Sequence, residues 1–133
     1  MSDKTRVAIY CRVACKDYYA LEQQQTILRV FAQEQGYSDI TEYFDNGYNG
    51  LNFDRPAFVQ MERDIQAGLI DMVIIKDISR INRNFIDASS WLERTQRNGV
   101  AVKSLNDGDM SILLYDISNV VNEVYREYHN KRK

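Results

Sequence analysis

RVAIYCRV, residues 6–13, is a short run of β-branched and apolar residues with Arg12 near its end. A strand buried on both faces reads this way. After it the pattern changes to helical period. Leu21, Ile27, Leu28 and Phe31 form an apolar stripe over residues 21–35, and Gly36 follows as a stop. Residues 40–44 (ITEYF) alternate as a second strand, and two Asn-Gly pairs mark the loop behind it. Asp54 is the expected cap of a helix with Pro56 in its first turn, Phe58, Met61 and Ile65 inward and Gly68 at its end. MVII, residues 72–75, reads as a third strand. A helix is expected over 84–98, with Phe85, Ala88, Leu92 and Thr95 on one side and Gly99 as the stop. A fourth strand follows at 100–103. A last helix is expected from about Asp109, with Leu113, Ile117, Val120, Val121 and Val124 at helical spacing.

Strands alternating with amphipathic helices predict one α/β domain over residues 1–133: three layers, with a central sheet of four to five mainly parallel strands. The first and third strands, the most continuously apolar, are expected at its centre. Sites in such sheets form beyond the carboxyl ends of the strands. That directs attention to residues 12–17, to Asp45 onward, and to 76–83.

The chain has 133 residues, 44% hydrophobic and 27% charged, an ordinary globular balance. No run approaches the ~18 apolar residues of a membrane span, and no signal-peptide layout opens the chain. A soluble, cytoplasmic protein is expected. The two cysteines, Cys11 and Cys15, and the distant lone histidine, His129, make no zinc set, so no metal is expected. Both cysteines are expected as free thiols. The net charge of −2 argues against tight DNA binding by this domain alone. The chain stops abruptly at a basic HNKRK, which suggests that a DNA-binding region follows elsewhere.

The arginines carry the chemistry. Arg12 closes the first strand, and Arg80 and Arg83 follow the third at i, i+3 spacing. Strands one and three as neighbours would bring three guanidiniums together, and guanidiniums match phosphate oxygens bidentately. A solvated surface on which they pair with Asp17, Asp45 and Asp77 explains the same spacing. The loop after strand one contains no glycine, which argues against a dinucleotide site. Asp45 with Lys76 resembles a phospho-acceptor receiver domain only in part, because the acidic pair expected after its first strand is missing.

Several segments together resemble the catalytic domain of serine site-specific recombinases, the resolvases, invertases and large serine integrases. AIYCRVACKD resembles the strand that ends in tyrosine, any residue, arginine, valine, serine. Leu21-Glu22-Gln23-Gln24 resembles the family's helix start. GYNGLNFDRPAF and DMVIIKDISRINRNFIDA resemble two further segments, the first closest to the large, transposon- or phage-type branch. Asn106-Asp107-Gly108 resembles the turn before a long helix. The resemblance implies attack by a serine hydroxyl on a DNA phosphodiester, a 5′-phosphoserine link, and dimers and tetramers assembled on a double-stranded recombination site. It implies that no metal or high-energy cofactor is needed, because the ester conserves the bond energy, and that Arg12, Arg80 and Arg83 bind the phosphate. It places Arg55, Asp45 and Gln24 at active-site positions and makes 109–133 the start of an oligomerisation helix.

The position matching the nucleophilic serine is Ala14. Cys15 is one residue on, where a strand end turns its side chain to the other face. Ser79 is expected to support its own turn, and nothing aims Ser111 at the phosphate. The chain is therefore expected to be inactive as it stands, by an engineered substitution or by natural loss. Tyr18-Tyr19 and an arginine at 126, one position early, favour natural loss. Two other readings remain: a non-catalytic DNA-binding or oligomerising homologue, and a flavodoxin-like domain that binds a small molecule.

Overall fold

The computed structural model describes residues 4–109. Strand β1 (Arg6–Val13) lies between β2 (Asp39–Asn46) and β3 (Met72–Ile75). Strand β4 (Ala101–Ser104) follows β3, and the two-residue β5 (Gly108–Asp109) closes the sheet in the order β2-β1-β3-β4-β5. The first four strands are parallel and β5 is antiparallel to β4. The expected mainly parallel sheet, with β1 and β3 inside it, is what forms.

Alternation along β1 builds two cores. Val7, Ile9 and Cys11 face helix α1 (Tyr18–Glu34), against Leu21, Leu28 and Ala32. Ala8 and Tyr10 face the opposite layer, made by α2 (Pro56–Gln66) and α3 (Phe85–Arg97), where Phe58, Met61, Trp91 and Leu92 pack. Cys11 is buried and its thiol is pushed up to about 12, mainly by desolvation, whereas Cys15 is exposed and both are free thiols.

Local signals account for most boundaries. The Asp17 carboxylate accepts from the Ala20 N–H at 3.1 Å to cap α1, and the Asn84 side chain accepts from Ile86 and Asp87 N–H to cap α3. Gly36 takes φ +91°, a left-handed stop that L side chains rarely adopt.

Four expectations need correction. Asp54 does not cap α2: the capping position is Arg55, whose side chain makes no capping bond, and Asp45 accepts the orphan N–H groups instead. Ile27 is 51% exposed, because the inward stripe of α1 runs Leu21, Gln24, Leu28, Ala32. Phe85 is 53% exposed, because the buried face of α3 centres on Trp91, whose ring lies 6.0 Å from that of Phe58. Finally, Gly108 and Asp109 pair as strand β5 against Ser104 and Lys103, so no helix starts at 109. The remainder of the expected last helix, with Ser111 and Arg126, lies outside the described residues.

One ion pair ties the start of β1 to the start of β3. The Arg6 N–H, Nε and Nη2 donate to the Asp71 carboxylate at 2.8, 3.0 and 3.0 Å. The Arg6 guanidinium, then its backbone N–H, hold the Asp71 carboxyl down at about 2. An unfolded carboxyl titrates near 4. A depressed folded pKa stabilises the fold above the unfolded value and loses that contribution as pH falls from about 4 to about 2. Thermal unfolding of Asp71→Asn should therefore lie below that of the parent at pH 6. The two should converge toward pH 2; a constant gap would contradict the linkage.

Candidate anion-binding site

The chain steps from β1 outward to β2 and then returns to β3 on the other side of β1. That reversal opens a crevice at the carboxyl ends of β1 and β3, the usual place for a site in an open α/β sheet. A cavity of about 320 Å³ lies there, lined by Arg12, Val13, Ala14, Ser79, Arg80 and Arg83. Three cations and no carboxylate line it. A larger depression of about 420 Å³ on the outer face of α1, lined by Tyr19, Glu22, Gln23, Thr26 and Ile27, carries one acid and no cation. The smaller one is the candidate site.

Arg12 projects from β1 toward the α2/α3 layer, on the same side as Tyr10, and is 2% exposed. Its Nε donates to the Arg80 carbonyl at 3.3 Å, Nη1 to the Tyr48 carbonyl at 3.0 Å and Nη2 to the Ser79 carbonyl at 2.9 Å. A guanidinium has five N–H groups, so two are not used in these bonds. Burial lowers the Arg12 pKa, and Arg55, Arg80 and Arg83 lower it further by like-charge repulsion. Such a cluster is relieved by an anion.

Arg80 ends a 3-10 turn (Ile78–Arg80) whose cap is Asp77. Asp77 accepts from the Ser79 N–H at 3.1 Å and from the Ser79 hydroxyl. Ser79 thus supports its own turn, as expected. Asp77 also stands 4.0 Å from Arg80, the long limit of an ion pair, and the buried Arg80 Nε has no partner. Arg83 follows, exposed, with its N–H held by the Gly50 carbonyl at 2.6 Å. The solvated-surface alternative accounts only for Asp77: Asp17 is occupied as a helix cap and Asp45 is buried.

Ala14 is exposed and lines the cavity. Cys15 is exposed beside it and is not among the residues lining the cavity.

Gln24, Asp45 and Arg55 stand behind this cavity. Strand β1 outruns β3, since their last paired residues are Ile9 and Ile74. The Gln24 amide supplies what the neighbour no longer does: Oε1 accepts the Arg12 N–H at 3.0 Å and Nε2 donates to the Arg12 carbonyl at 3.3 Å. Asp45 is 3% exposed and accepts the Tyr10 hydroxyl at 2.7 Å and the Ala57 and Phe58 N–H groups at 2.9 and 3.1 Å. Arg55 is 1% exposed, lies 4.6 Å over the Phe58 ring, and donates to the Tyr10 hydroxyl and the Asn52, Arg80 and Ile81 carbonyls. The chain Asp45–Tyr10–Arg55 thereby grips the backbone that carries Arg80. Tyr10 enters the sequence reading only as the tyrosine of the strand motif, with no site role of its own. Its position among the buried residues of the strand was the available signal, because a buried hydroxyl has to find a partner.

A family model for the resolvase N-terminal domain matches residues 7–133. A putative DNA recombinase of Bacillus subtilis (strain 168) is 30% identical over 83 residues, 61% of this chain but 16% of that protein. The chain thus matches a small part of that relative's length. Among solved structures, the N-terminal catalytic domain of TP901-1 integrase superposes with a TM-score of 0.83 at 26% identity, covering 94% of this chain and 99% of that one. A resolvase family site-specific recombinase from Streptococcus pneumoniae gives 0.76 at 31% identity, covering 97% and 93%. No helix among the described residues is long and apolar enough to cross a membrane.

Proposed function

This chain belongs to the resolvase family of serine recombinases, and from that premise we propose that it retains the family's grip on a DNA phosphodiester while lacking the nucleophile. The observation that carries the reading is the cavity itself, with three arginines and an alanine on its wall and no carboxylate. Arg12, Arg80 and Arg83 bind the non-bridging oxygens and stabilise the charge that builds there as phosphorus becomes five-coordinate. Gln24, Asp45 and Arg55 position them.

In a chain with serine at 14, the hydroxyl oxygen attacks phosphorus and gives up its proton. The bond to the 3′ oxygen breaks, and that oxygen leaves protonated as a 3′-hydroxyl. The 5′-phosphate stays on the serine, so the ester keeps the bond energy for rejoining. Ala14 offers no oxygen and the first bond does not form. The partners are double-stranded recombination-site DNA and further copies of the protein, as dimer and tetramer. Ala14 favours a non-cleaving homologue, one that holds DNA or joins an assembly of active subunits, over an active enzyme. A net charge of −2 makes DNA binding by this domain weak and strongly salt-dependent.

Titration of the chain with inorganic phosphate, followed by NMR at the arginine Nε–Hε signals, tests the reading. The signals of Arg12, Arg80 and Arg83 should move together. Arg80→Ala should weaken binding about tenfold or more, the loss expected for a charge-assisted hydrogen bond. Side-chain signals indifferent to phosphate would refute the anion site.

A further inference from the structure

We infer that Gly50 is a positioning residue for the arginine cavity: its missing side chain lets the β2–α2 loop close onto Arg12 and Arg83 together. This rests on the phosphate-binding reading of that cavity. Two glycines of the loop differ in their reason for being glycine. Gly47 has φ +86°, a backbone that L side chains rarely adopt. Gly50 has no such φ and is buried, so its turn does not require glycine.

What requires it is space. A Cβ at 50 would stand 2.7 Å from Arg12 Nη2, 2.7 Å from Arg83 Cγ and 3.0 Å from Arg12 Cζ. All three obstructing atoms belong to the side chains of cavity arginines, and none is backbone. The loop around Gly50 is tied on both sides. The Gly47 and Tyr48 N–H groups donate to the Val13 carbonyl at 3.0 and 3.1 Å, and the Gly50 carbonyl accepts the Arg83 N–H at 2.6 Å. Arg12 Nη1 reaches back to the Tyr48 carbonyl at 3.0 Å. With the backbone pinned, a methyl group at 50 displaces the guanidiniums. Arg12 Nη2 then leaves the Ser79 carbonyl, now at 2.9 Å, and the spacing of Arg12 and Arg83 opens.

The test is Gly50→Ala, with Leu51→Ala as control, since Leu51 is 62% exposed and its neighbours in the loop keep their backbone bonds. Gly50→Ala should shift the Nε–Hε signals of Arg12 and Arg83, leave the amide signals of β1 to β4 in place, and weaken inorganic phosphate about tenfold or more. Leu51→Ala should change none of these. In an Arg12→Ala/Arg83→Ala background the obstructing atoms are gone, so adding Gly50→Ala should no longer shift the unfolding midpoint. A Gly50→Ala chain with unmoved arginine signals overturns the inference. So does a loss of stability that persists undiminished in the doubly substituted background, which also covers a single variant that fails to fold. If the parent chain binds no phosphate, the functional reading fails, while the arginine signals still report on Gly50.

Discussion

The full protein carrying Ala14→Ser, incubated with its recombination site, should form a covalent adduct on the 5′ end of the cut strand; with Ala14 it should form none. The expected difference is all or none, because the substitution supplies the one atom on which bond formation depends. Residue 14 is exposed on the cavity wall beside Arg12, Arg80 and Arg83, so a hydroxyl there would face the proposed phosphate site rather than the core. Folding should tolerate it within about 0.5 kcal/mol, as for most exposed positions. Adduct formation by the serine form alone identifies a site that is otherwise competent. If neither form cuts while both hold the site DNA, the defect extends beyond residue 14, and Tyr18-Tyr19, both more than 70% exposed just past the cavity, become the place to look. Cutting by the Ala14 form would overturn the assignment and turn attention to Cys15. A thiol displaced from the cavity wall by one residue is a poor substitute, since misplacement of about an ångström is enough to lose a hundredfold in rate.

The order of elements was legible because each rests on signals within a few residues: the doubly buried run at 6–13, Pro56 at a helix start, glycines past helix ends. The cavity arginines were legible for a related reason. Once β1 and β3 are neighbours, the residues after them have to meet. What the sequence hid is held by contacts between distant residues. Asp54 sits next to α2 and looks like its cap, yet the cap comes from Asp45, twelve residues before Ala57. Apolar spacing does not reveal the stripe of α1 because its inward position 24 is polar, and Gln24 is inside to finish the hydrogen bonding of β1. No local pattern distinguishes a glycine required by its φ, as at 47, from one required by two arginine side chains, as at 50.

Asp45→Ala should be the most destabilising single change in the site, by about 3–5 kcal/mol, the order expected when several hydrogen bonds to one buried carboxylate are lost together. Asp45 accepts three hydrogen bonds while 3% exposed: one from the Tyr10 hydroxyl and two from the first turn of α2. Alanine leaves the Tyr10 hydroxyl and the Phe58 N–H buried without an acceptor, at about 1–3 kcal/mol each before relaxation, and the part-buried Ala57 N–H without its partner. It also removes the negative end of the chain that runs through Tyr10 to the buried Arg55 cation. Against a total stability of about 5–15 kcal/mol, much of the fold's margin is at stake. Asp45→Asn should fall between the parent and the alanine variant. It keeps one carbonyl oxygen for the helix but turns an NH₂ toward groups that are themselves donors. Tyr10→Phe should be milder than Asp45→Ala, since the carboxylate keeps its two N–H partners. Urea unfolding of the three variants gives the order directly. An Asp45→Ala chain within about 1 kcal/mol of the parent would show that α2 does not depend on this cap. The same variants connect stability to the site, because Arg55 holds the Arg80 carbonyl at 2.7 Å. A still-folded Asp45→Asn chain should therefore bind phosphate more weakly than the parent, although residue 45 itself does not line the cavity.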